Sequence, residues 1–198
     1  MKVLSTLTVM MVSEYYAISI LQAEEFVAGI LFGLIQKDDL KYIQTCLTDA
    51  DTVEEQVNDA ISDFMKGDIS SILAGIEVVG TLLTELPADL KDCEDMQGDL
   101  TRISAWVSGL IADPVKLAEL LTTNIIRNFA KITGDINSTS ADIVKADYYT
   151  AGSDIADIVI LTLGNIPAED MTLFWYIQNT IKSFKINLII FLYNFIMF

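Results

Sequence analysis

The chain has 198 residues, 52% of them hydrophobic and 20% charged, which is the length of one ordinary domain with ample side chain for a core, so extensive disorder is excluded. Acidic residues outnumber basic ones 28 to 12, and a formal charge of -16 repels nucleic-acid phosphates, leaving an unknown protein or lipid as the expected partner and no nucleic acid. Histidine is absent, which removes His-based triads, imidazole proton shuttles and metal sites built on imidazole.

Lys2, a mostly apolar stretch over 3–12 and Leu21-Gln22-Ala23 ahead of Glu24-Glu25 resemble a secretory signal peptide, residues 1–23, cleaved after Ala23. Glu14 and Tyr15-Tyr16 interrupt the apolar region and leave a structural or wrongly assigned N-terminus as the alternative.

Residues 24–166 read as an acidic α-helical domain, because no stretch sustains apolar/polar alternation and Pro87, Pro114 and Pro167 all fall where helical periodicity lapses. The first helix is predicted over 24–36. Its segment 26–35 is apolar or glycine all round, which requires a bundle centre or a membrane, and Gly29-x-x-x-Gly33 allows close approach of another helix in either setting. A short helix follows over 38–47. In 52–66, opened by the capping-box pattern Thr52-Val53-Glu54-Glu55, the residues Val53, Val57, Ala60, Ile61 and Phe64 share one face. In 68–86, Ile69, Ile72, Leu73, Ile76, Val79, Leu83 and Leu86 trace a stripe that Pro87 should end, and the two helices form a hairpin around Gly67-Asp68. Further helices are predicted over 96–112, 114–131 (with Gly134 as a stop), 135–146 and 153–163. The fold class is therefore all-α, an antiparallel multi-helix bundle of about six to eight helices in a single domain. A weak repeat aligns Phe64-x-x-Gly67-Asp68-Ile69-x-x-Ile72 with Tyr149-x-x-Gly152-Ser153-Asp154-Ile155-x-x-Ile158, consistent with a duplicated hairpin or with the same turn chemistry arising twice.

Two cysteines in an exported chain suggest a disulfide between Cys46 and Cys93; in an unexported chain both would be small buried apolar residues. A catalytic thiol is not expected without a histidine to activate it. The acidic groups Asp49/Asp51/Glu54/Glu55 and Asp89/Asp92/Glu94/Asp95/Asp99 lack EF-hand spacing and read as solvated faces, with weak surface calcium binding as the rival. No pair of carboxylates is singled out for hydrolase chemistry, so no catalytic, cofactor or metal site is assigned. Asn137-Ser138-Thr139 is a glycosylation acceptor triplet that would mark an exposed turn. Trp106, Tyr148, Tyr149 and Trp175 could stack on a ligand ring, though aromatic residues at such positions are commonly packing groups.

Composition changes abruptly near the end. No acidic residue follows Asp170, and residues 186–198 form a nearly continuous apolar run, about 20 Å long as a helix and shorter than a bilayer core of about 30 Å. Residues 167–198 thus read as a membrane-associating tail, a lipid-anchor signal, a buried terminal helix, or a gene-model artefact of A/T-rich codons; membrane contact through 171–198 is the alternative function they imply.

The runs Glu24-Glu25-Phe26-Val27-Ala28-Gly29, Leu86-Pro87-Ala88-Asp89-Leu90-Lys91-Asp92-Cys93 and Asp147-Tyr148-Tyr149-Thr150-Ala151-Gly152-Ser153-Asp154 resemble small secreted α-helical proteins from ciliate genomes. The resemblance covers 24–166, implies export, a helical domain and pairing of the cysteines, and carries no catalytic motif. The chain departs from that group at both apolar ends. The expectation is a non-enzymatic binding or structural protein of the exterior or a secretory-vesicle lumen, with a membrane-associated or lipid-binding protein as the alternative.

Overall fold

The computed structural model describes residues 18–167, which form seven α-helices and no strand. These are α1 (Ile20–Ile35), α2 (Leu40–Cys46), α3 (Ala50–Lys66), α4 (Ile69–Asp89), α5 (Gln97–Ile111), α6 (Pro114–Val144) and α7 (Tyr148–Leu163), with a 3₁₀ turn at Glu94–Met96 before α5. They enclose one core, the all-α single-domain bundle that periodicity predicted. The expected signal peptide up to residue 17, the tail from 168 onward and Trp175 lie outside the described residues.

α1 begins four residues earlier than predicted. Ser19 is a true N-cap: its hydroxyl accepts from the Gln22 amide while the Gln22 side chain accepts from the Ser19 amide, so a capping box with glutamine at its third position opens the helix. Ile18 just before it is buried, and its amide donates to Asn58 Oδ1 on α3 at 3.1 Å. The boundary expected after Ala23 therefore falls inside α1, at a residue that is itself buried. α1 is the central helix: Phe26, Ile30 and Leu31 are fully enclosed, each contributing about 2 kcal/mol of apolar burial.

α3 and α4 form the predicted hairpin. Gly67 takes the left-handed conformation at φ 71° and Asp68 caps α4 through the Ser71 amide. Two local expectations fail. The cap of α3 is Asp49, accepting from the Thr52 amide at 3.3 Å, in place of Thr52. α4 also runs through Pro87 to Asp89, because a proline in the last turn removes one donor while buried Leu86 and Leu90 keep that turn against the core.

The largest correction is α6. The two helices predicted around Gly134 are one helix of 31 residues, and Gly134 is an interior residue on its exposed side. Ile132 and Ile136, on either side of it, are both buried, and their packing offsets the cost of about 1 kcal/mol that an interior glycine carries. A Cβ built at Gly134 meets nothing within 4 Å. Gly134→Ala should therefore stabilise the domain by about 0.5–1 kcal/mol and raise its melting temperature by about 2 °C in a circular-dichroism melt. A lower melting temperature would mean that the helix does not run on through this position.

α7 likewise starts at Tyr148, five residues before its predicted start, with Asp147 accepting from the Thr150 amide as its cap. Gly152, read as a turn glycine in the repeat, is thus an interior helical residue, and the turn chemistry that aligned it with Gly67 is not shared. Its role is packing. A Cβ on Gly152 would collide with the carbonyl oxygen of Phe26, and a Cβ on Gly29 would collide with that of Tyr149, so α1 and α7 touch backbone to backbone. Gly33 faces Ala156 one turn on. The small-residue pattern Gly29-x-x-x-Gly33 therefore finds its partner in Gly152-x-x-x-Ala156 inside the bundle.

α6 and α7 are antiparallel. Asn124 and Asn128 donate through Nδ2 to the carbonyls of Thr162 (2.9 Å) and Leu161 (3.1 Å), holding orphan acceptors of the last turn of α7. Because Thr162 lies level with Asn124, residues 114–123 of α6 extend beyond the end of α7, an overhang of about 15 Å.

Candidate functional site

Cys46 ends α2 and Cys93 lies in the link after α4; their sulfurs are bonded, with Cα atoms 5.8 Å apart, inside the range a disulfide spans. Beside the bridge, Thr48 donates from both its amide (3.0 Å) and its hydroxyl (2.8 Å) to the Asp89 carbonyl. α2 itself buries only Ile43, so these covalent and polar ties are what hold it to the bundle.

The acidic groups read from the sequence are brought together only in part. Asp89 lies near Asp49 and Glu85, and burial followed by those two charges pushes its carboxyl up. Asp99 instead joins a basic network, accepting from Lys37 Nζ (3.2 Å) and from Arg102 (3.2 Å), while Lys37 also stands 3.7 Å from fully buried Asp39. That network fastens the α1–α2 link to the first turn of α5. Among the described residues no group of three or more His, Cys, Asp or Glu side chains is arranged to hold a metal ion.

Asn137 is exposed, but it sits on helix α6 and not in the expected turn. Thr139, third in the triplet, is fully buried and donates its hydroxyl to the Asp135 carbonyl at 2.9 Å. Of the aromatic candidates, Tyr148 is buried, Trp106 packs on the core, and the Tyr149 ring lies 5.7 Å from that of Phe32. These three act as packing groups.

A carboxylate group that the sequence did not single out lies between α6 and α7. Asp154 of α7 faces Asp135 and Asp142 of α6, with Asp157 and Asp147 nearby; burial first, then these four charges, pushes Asp154 up to about 6. The cue was the i, i+7 pair Asp135/Asp142 on one helix opposite Asp154 on the next, which is invisible while Gly134 is taken as a stop. Asp135 is raised as well, mainly by burial. A carboxylate with a raised folded-state pKa takes up its proton earlier in the folded than in the unfolded chain, so this group costs stability at neutral pH and the cost is relieved as pH falls through 6 towards the unfolded value near 4. The melting temperature should rise between pH 7 and pH 5. Asp154→Asn should add about 1 kcal/mol at pH 7, after allowance for solvent screening, and flatten that rise. A melting temperature that falls steadily from pH 7 to 5 in both proteins would refute the assignment.

The remaining unusual surface is on α6. Val115 is 70% and Ile126 65% exposed, and Phe129 is also exposed. Helical spacing puts them with Ala118, Thr122 and Ala130 on one face. This face can bury apolar chain and contains nothing that could perform a reaction.

One described helix, α4, is long and apolar enough to cross a membrane by length and composition, yet its Ile72, Val79, Leu82, Leu83 and Leu86 side chains are in the core. A family model described as SctB-like, Secreted protein B-like, matches residues 9–163, ending where α7 ends. No curated protein and no solved structure matches the chain.

Proposed function

From the fact that the chain belongs to the SctB-like, secreted protein B-like family, we propose that it acts outside the cytosol, in the exterior or a secretory-vesicle lumen, as a non-enzymatic helical binding or structural protein. The observation that carries this reading is the Cys46–Cys93 pair at bonding geometry, since such a bridge persists in oxidising compartments and is rare in the cytosol. The absence of histidine supports a non-catalytic role, and the exposed apolar face of α6 suits association. The likeness to ciliate proteins rests on the three quoted sequence runs alone and adds no ligand.

On this reading a leader is removed upstream of Ile18. Cleavage after Ala23 would take away Ile18, the Ser19–Gln22 capping box and buried Ala23, all of which belong to the folded unit. Top-down mass spectrometry of the unreduced native protein should find it outside the cytosol, starting at or before Ile18, with Cys46 and Cys93 bridged. Recovery of a cytosolic chain with free thiols would end the export reading, and a mature chain starting at Glu24 would refute the position of cleavage.

A further inference from the structure

We infer that the exposed apolar face of α6 is the docking surface for the chain's own C-terminal segment, residues 171–198, which lies along the overhang of α6 beyond the end of α7. Three observations converge on that occupant. The first is position. α7 ends at Gly164, φ 91°, with the Asn124 and Asn128 side chains fastened to its last turn, so the chain leaves the described domain at Pro167 beside the middle of α6 and next to residues 114–123, which α7 does not reach. The second is chemistry. The overhang and the turn after it present Val115, Ile126 and Phe129, and the segment that follows Pro167 is rich in Phe, Leu and Ile. An overhang of about 15 Å and an apolar run of about 20 Å if helical are similar in length. The third is charge. After Asp170 the segment has Lys182 and Lys185 and no acidic residue, so it is attracted to a domain in which acids predominate. A second copy of the chain, at -16, or an anionic lipid surface would be repelled by that same domain.

The test uses the full chain with Phe129→4-benzoylphenylalanine and, in a separate protein, Ile126→4-benzoylphenylalanine. Both positions are exposed on a helix, and a helical circular-dichroism spectrum for either variant is enough to proceed. Irradiation followed by proteolysis and mass spectrometry should join the α6 peptide to peptides from 171–198 at the mass of one chain. Cross-links to a second copy would overturn the inference in favour of a dimer, and cross-links to added anionic vesicles would overturn it in favour of a lipid surface. Cross-links confined to residues 18–167, or native protein that lacks the segment, would also overturn it. These outcomes are independent of where the protein is located and so leave the export reading to its own measurement.

Discussion

Gly29→Ala lowers the stability of the domain by about 3 kcal/mol or more and its melting temperature by about 10 °C. A single methyl group has this effect because the atom it meets is a backbone carbonyl, that of Tyr149, and not the movable end of a side chain. Relief requires α1 and α7 to separate, which loosens the burial of Phe26, Ile30 and Ile155 together. Gly152→Ala has an effect of the same size for the reciprocal reason, with Phe26 supplying the carbonyl. The double variant should be less destabilised than the sum of the two, since the first methyl already forces the helices apart. Thermal melts of the four proteins measure this. A Gly29→Ala protein that melts within 2 °C of the parent would show that the two backbones do not touch. Gly134→Ala, the same chemical change in open space, should move the melting point the other way.

Reducing the Cys46–Cys93 bridge removes a constraint on a loop of 47 residues, worth about 4 kcal/mol in the chain-entropy treatment, and should lower the melting temperature by about 10 °C. Loosening should begin at α2, which has seven residues and a single buried side chain. Hydrogen exchange after reduction should accelerate across α2 before it accelerates in α1 or α7. Equal melts with and without reductant would show that the bridge contributes nothing to stability. Uniform acceleration across all helices would show that α2 is not a separable unit.

What could be read from the sequence was local. The 3.6-residue stripes of α3 and α4 and the turn at Gly67-Asp68 follow from neighbouring residues, and their structure matches the pattern. Boundaries depending on distant packing were missed. Gly134 has the composition of a stop, but contacts made by Ile132 and Ile136 keep α6 continuous; Gly152 has the composition of a turn, but α1 requires a bare backbone there. The small-residue motif at Gly29 announced a close partner without saying which helix supplied it. The carboxylates around Asp154 come from two helices, so no linear motif contains them, and the exposed face of α6 depends on α7 being the shorter helix.

The pairing of α1 with α7 has a consequence for the order of folding. α1 is apolar on all sides, emerges from synthesis first, and meets its closest partner only when the last described helix is complete. Contacts between the ends of a chain are slow to form because the loop between them must close before they contribute. The α3–α4 hairpin can assemble early from neighbouring segments, whereas α1 remains a sticky, unpaired helix until synthesis is almost finished. The interval before α7 arrives is therefore when this chain is most prone to aggregate and most dependent on a chaperone.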